Sequence, residues 1–258
     1  MKEKKISPAY RIIKGLVRLF YGKTAVSGAE HLPEEPCIIV GNHAQMNGPI
    51  ACELDFPGRH FIWCAGEMMH LKEVSDYAFR DFWSAKPKSV RWLFRIASYL
   101  IPPLAVCVFN NANCIGVYHD TRIISTFRET VDALQDGASI IIFPEHDPPR
   151  NNILSEFQDR FVTVARQYYR RSGKAVCFVP LYVAPAFKTL YLGEPVRFDP
   201  DNPSHEECAR VSEELIARIT AMAAALPRHR VVPYRNIPKK NYPYNTPLEV
   251  YSHEEAGG

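Results

Sequence analysis

A chain of 258 residues, 47% of them hydrophobic and with a net charge of only +3, can bury a core of its own, which argues against a disordered chain or one that acts mainly through charge. Seven scattered cysteines with no C-x-x-C pair argue against a disulfide framework or a zinc site and predict reduced thiols in a cytoplasmic setting. No secretion signal opens the chain and no window reaches the roughly 20 apolar residues of a membrane span, so one α/β domain is expected over residues 25–226, between a docking helix in residues 1–24 and a tail in residues 227–258.

The charge is concentrated at the start, where residues 1–23 hold seven basic residues against the single acid Glu3. In "SPAYRIIKGLVRLFYGK", residues 7–23, Ser7 caps a helix and Pro8 occupies its first turn. Ile12, Ile13, Leu16, Val17, Leu19 and Phe20 fall mostly along one side of it, and Arg11, Lys14 and Arg18 stack on the other. The pattern fits a helix lying on an anionic bilayer, and it fits equally a docked helix with a solvated basic face.

Short β-branched runs follow at residues 37–40, 60–65, 113–118, 139–143 and 175–183, bounded by turn residues as strands covered on both faces are. Between them, "WLFRIASYLIPPLAVCVF" at residues 92–109 is broken by Arg95, Pro102 and Pro103, which predicts one amphipathic helix and then an extended, buried segment. Residues 121–137 and 154–173 each read as an amphipathic helix stopped by a glycine, Gly137 and Gly173. A last helix is expected at about 204–225, ahead of a Pro- and Tyr-rich tail without periodicity that is expected to be partly disordered. Strand and helix alternate, which implies an α/β fold with a mostly parallel or mixed sheet flanked by helices.

Ligands of such sheets gather in the loops beyond the carboxyl ends of the strands. Three loops carry chemistry: "GNHAQMNGP" at 41–49, "GVYHDTR" at 116–122 and "FPEHDPPR" at 143–150. Taken in order, they resemble the motifs of the phospholipid/glycerol acyltransferase family, which includes the lysophosphatidic acid acyltransferases. Asn42, His43 and Pro49 match its N-H-x-x-x-x-D-P, Gly116 and Arg122 its G-x-x-x-x-x-R, Phe143, Pro144 and Glu145 its F-P-E-G, and Val179 and Pro180 its strand-borne V-P. The approach "VSGAEHLPEEPCIIVGNH" and the later "YLGEPVRF" are also similar to the family, so the resemblance spans about residues 26–225.

The resemblance implies a glycerol-phosphate acyltransferase-like fold and transfer of a fatty acyl group from a thioester to the hydroxyl of a lysophospholipid or glycerol-phosphate-like acceptor. His43 would be the general base, a role that suits a side chain titrating near neutral pH. Arg122, Phe143, Pro144 and Glu145 would meet the acceptor, with Asn42, Gly116 and Pro180 completing the binding motifs. Acyl-CoA or acyl-carrier protein would be the co-substrate, with no further cofactor and no metal, and the protein would attach peripherally to a membrane. Nothing beyond the amino-terminal charge suggests nucleic acid.

Two positions depart from the family. Gly48 stands where the first motif has its acid, and His146 where the third has its glycine. Asn47 is a candidate to orient the imidazole through its carboxamide, although a helix-start cap explains it too, and Asp120 and Asp147 are longer-range candidates. Two functions therefore stay open, an atypical acyltransferase and a catalytically silent lipid-binding protein of the same fold.

Overall fold

The computed structural model describes residues 6–83 and 87–246. In chain order its elements are α1 (Pro8–Tyr21), β1 (Ala25–Ser27), β2 (Ile38–Gly41), α2 (Asn47–Asp55), β3 (His60–Ala65), α3 (Leu71–Ala78), α4 (Lys88–Ser98), α5 (Pro102–Asn111), β4 (Cys114–Val117), α6 (Ile123–Gln135), β5 (Ser139–Ile142), β6 (Glu145–Pro149), β7 (Ser155–Phe157), α7 (Thr163–Ser172), β8 (Cys177–Ala184), β9 (Thr189–Leu192), β10 (Val196–Arg197) and α8 (Ser204–Ala225). The protein is thus a mixed α/β structure with mostly parallel strands and flanking helices. It divides into two compact units, one made of Met1–Gly22 with His60–Ala133 and the other of Lys23–Arg59 with Leu134–Gly258.

In the second unit, β2 pairs in parallel with both β5 and β8, placing Val40 beside Ile142 on one side and Pro180 on the other. β1 runs parallel to β9, whereas β9 and β10 pair antiparallel with β8. Ile38, Ile39 and Val40 are fully buried, as expected of a strand covered on both faces. Val211, Leu215 and Ile219 recur every four residues along α8 and are fully buried, contributing about 1.5–3 kcal/mol each by leaving water.

One expectation changes in this unit. Residues 154–173 do not form one helix: Ser155–Phe157 is a strand paired with β6, and α7 starts only at Thr163. The buried Glu145 carboxylate, which accepts the Ser155 N–H at 2.9 Å, holds this segment extended against its helical pattern. The described part of the tail, residues 227–246, is tied to the rest of the unit. Asn245 is buried, accepts the His229 N–H at 2.9 Å and donates to the Ala223 carbonyl at 2.8 Å, while Val231 N–H reaches the Pro243 carbonyl at 2.9 Å. Residues 247–258 lie outside the described residues.

In the other unit β3 and β4 pair in parallel, Trp63 beside Ile115. Ser7 caps α1 by accepting the Tyr10 N–H at 3.2 Å, and its own N–H ties the helix start to Asn111 of α5 at 2.9 Å. The segment after Pro102 is helical and not extended, because Pro102 opens α5 where a helix has no partner for a backbone N–H. Among the described residues no single helix is long and apolar enough to cross a membrane; α4 and α5 meet that measure only together, and they are bent by 57°. The seven cysteines, all among the described residues, form no disulfide, and burial pushes the Cys37 thiol up to about 11.

Candidate active site

Parallel pairing of β2 with β5 brings the loops that leave these strands side by side, His43 from one and Phe143 to Glu145 from the other. Glu145 is 5% exposed, and its carboxylate accepts the backbone N–H of His43 at 2.5 Å as well as that of Ser155. Burial pushes this carboxyl up to about 7 against those two donors, which favour the anion. Glu145 thus braces the loop backbone that carries the histidine. The Phe143 ring meets His43 edge-on, with centroids 5.4 Å apart.

The backbone turns sharply just after His43. Ala44 and Gln45 both lie in the left-handed region, at φ 46° and 57°, an arrangement costing about 1–3 kcal/mol per residue that surrounding contacts must hold. The turn brings the Gln45 carbonyl onto Nδ1 of His43 as its hydrogen-bond partner. A carbonyl can only accept, so Nδ1 carries the proton and Nε2 is the basic nitrogen. Burial holds the imidazole below its ordinary value, with the Gln45 hydrogen bond opposing.

The orienting group is therefore a main-chain carbonyl. Asn47, the side chain expected in that role, donates to the Ala44 carbonyl at 2.8 Å and so holds the turn at the start of α2. Asp147 pairs with Arg235, and Asp120 pairs with Arg122. Gly48 has a steric reason: a Cβ there would lie 2.8 Å from the His43 carbonyl oxygen and 2.8 Å from Cε1 of Phe143.

Other expected contacts have structural work in this fold. Asn42 is 1% exposed and clasps Val183 of β8, donating to its carbonyl at 3.2 Å and accepting its N–H at 2.6 Å, so it extends the β2–β8 pairing beyond the strand and its amide faces the main chain, not an acceptor. Pro180 is buried within β8, and Pro144 accepts the Gln158 N–H at 3.0 Å. His146 continues β6 opposite Glu156.

Gly116 and Arg122 belong to the other unit. A Cβ on Gly116 would come within 3.0 Å of Met69 Sδ and Tyr118 Oη, so the glycine admits a close approach. Arg122 was expected to read phosphate, but its guanidinium is already held by two carboxylates, Glu73 at 3.0 Å and Asp120 at 2.8 Å. It also lies 4.2 Å above the Tyr118 ring, and these carboxylates push its pKa further up. An anion reaching it would compete with both of them.

The tail supplies residues that the sequence pattern did not reveal. Tyr234 meets the His43 ring at 6.1 Å, edge to face, and Gln45 Nε2 donates to Tyr242 Oη at 3.1 Å and to the Arg235 carbonyl at 3.4 Å. The aromatic and basic density of "YRNIPKKNYPY", residues 234–244, was the only signal available. Among the described residues there is no group of three or more His, Cys, Asp and Glu side chains placed to hold a metal ion.

An α/β fold with a loop histidine beyond parallel strands, its tautomer fixed and its backbone braced by a buried carboxylate, defines a candidate general-base site. No protein-family model matches the chain, and no curated protein matches it. The structure is similar to that of the 1-acyl-sn-glycerophosphate (LPA) acyltransferase PlsC from Thermotoga maritima, with a TM-score of 0.47 and 16% identity over 87% of this chain and 86% of that one.

Proposed function

We propose that the protein transfers a fatty acyl group from an acyl thioester, acyl-CoA or acyl-carrier protein, to the hydroxyl of a lysophospholipid or glycerol-phosphate-like acceptor, working at a membrane surface that α1 helps it reach. The observation that carries this reading is the Gln45 carbonyl on Nδ1 of His43, which leaves Nε2 to take the proton of an attacking hydroxyl. An alcohol is a poor nucleophile at neutral pH, and a neutral imidazole in its path supplies the missing base. Without an acid behind it, the imidazolium formed during attack gains only a dipole's stabilisation. Slow turnover is therefore expected. The N-H and F-P-E sequences support the reading by placing the histidine and its brace on adjacent loops.

A second reading, a silent lipid-binding protein, is favoured by the closed ion pairs of Arg122 and by the packing against Gly48, which leaves no room for the missing acid. One experiment separates the two. Purified protein is incubated with acyl-CoA or acyl-carrier protein and a panel of lysophospholipids, while free thiol and acylated product are followed. Thiol release that depends on the acceptor supports the enzyme; acceptor binding without thiol release supports the silent binder.

A further inference from the structure

The helices of the first unit leave an apolar face uncovered. On α4 and the residue pair that follows it, Trp92, Leu93, Ile96, Tyr99 and Leu100 recur at the three- and four-residue spacing of a single stripe and are all exposed, Trp92 at 64% and Leu100 at 77%. Leu104 in the first turn of α5 extends it. Across the uncovered face of α1, Ile12, Leu16, Leu19 and Phe20 form a second exposed stripe. The helices bearing the two stripes share one framework: α1 is tied to α5 through Ser7 and Asn111, and α4 to α3 through Arg95 and Asp76 at 2.6 Å.

Charge says what covers this face. Residues 82–119 contain no acid but include Lys88, Arg91 and Arg95, the last already paired with Asp76 of α3, and residues 4–29 likewise contain none while holding Arg11, Lys14 and Arg18. Lys88, Arg91 and Arg95 line up at spacings of three and four along one border of the α4 stripe. A second copy of the chain would set these cations against their own kind, whereas an anionic bilayer complements them and lets long basic side chains reach the headgroups above a buried apolar stripe. Trp92 and Tyr99 on the stripe are the aromatic types that favour the boundary between headgroups and acyl chains.

We propose that α4 and the start of α5 are a lipid-docking element of this chain, entering the headgroup boundary of an anionic bilayer in the plane of the membrane and acting with α1. Eleven residues of α4 span roughly 16 Å, about half of the hydrocarbon core, and α5 bends away by 57°. The far end of α5 is tied into the protein by Asn110, which donates to the Met69 carbonyl at 2.9 Å, and by Asn111 to Ser7. The helices thus lie on the bilayer and do not cross it. This docking needs no acyl transfer, so it stands or falls separately from the proposed reaction.

The test is co-sedimentation of the full chain with vesicles of phosphatidylcholine, with and without one third phosphatidylglycerol. Leu93→Glu with Ile96→Glu should weaken binding to anionic vesicles at least about tenfold, from two apolar side chains withdrawn from the interface. Leu16→Glu with Leu19→Glu should weaken it separately, and added salt should weaken the wild type. In vesicles brominated near the headgroup, quenching of tryptophan fluorescence should be strong in the wild type and clearly weaker in Trp92→Phe, which keeps Trp83 against Phe94 of α4. These positions are exposed, so melting without vesicles should not change. Binding within twofold of wild type for Leu93→Glu with Ile96→Glu, or the same quenching with Trp92→Phe, would overturn the proposal, as would equal binding to neutral and anionic vesicles.

Discussion

Replacing Gly48 tests whether this site has lost a residue or was built without one. By the motif alone, Gly48→Asp restores an acid and should speed the reaction. The packing predicts the reverse, because a Cβ at this position falls 2.8 Å from two atoms, well inside ordinary contact. The Phe143 ring can yield a little, but the His43 carbonyl cannot, since it accepts the Gly48 N–H at 3.1 Å in the turn that orients the imidazole. Even Gly48→Ala then overpacks the site, at about 1–3 kcal/mol. The better helix propensity of alanine returns about 0.5–1 kcal/mol, which leaves a net loss of about 0–2.5 kcal/mol. Aspartate adds the cost of placing a carboxylate in a buried position and should lose more. Urea denaturation of wild type, Gly48→Ala and Gly48→Asp measures the stability, and thiol release measures turnover, which should fall in both variants as the loop shifts. An alanine variant more stable than wild type, an aspartate variant as stable as wild type, or an aspartate variant that turns over faster would refute the steric reasoning.

The remaining predictions concern Glu145 and Arg122. Glu145 titrates at about 7 in the folded protein against an ordinary value near 4.5, so between these values the folded state holds a proton that the unfolded chain has released. Its contribution to stability is therefore full below about 4.5 and fades by about 3 kcal/mol as the pH rises to 7. Across that range the difference in folding free energy between wild type and Glu145→Gln should change by this amount in total, and parallel curves would contradict the buried-carboxyl assignment. Arg122→Lys keeps the charge but loses the fork on Glu73 and Asp120. It should lower stability only slightly, as exposed ion pairs do, and leave the acceptor KM within about twofold. A large rise in KM at unchanged stability would instead make Arg122 the reader of acceptor phosphate.

Much of this layout was legible because its causes are local. Ile38 to Val40 read as a strand because every side chain is apolar, and the loops after β2 and β5 followed from the strand ends. What escaped depends on partners distant in sequence. Ser155 is extended because of a carboxylate ten residues earlier, and the described part of the tail is tied down because Asn245 reaches back to Ala223. Pro102 and Pro103 were read as the end of a helix although a proline equally opens one. The orienting group of His43 could not be found by scanning for acids, since it is the main chain of Gln45, displayed by two left-handed residues that are not glycine.

The most direct measurement is the pH dependence of acceptor-dependent thiol release by wild type and His43→Ala. Because burial lowers the imidazole below its ordinary value near 6.5, kcat/KM should rise with pH to a midpoint under 6.5 and stay level above it. His43→Ala should abolish the release at every pH while keeping the far-ultraviolet spectrum of the folded protein. Transfer that survives intact in His43→Ala, or a wild type that releases no thiol with any acceptor, would contradict the assignment of His43 as the base of an acyl transfer.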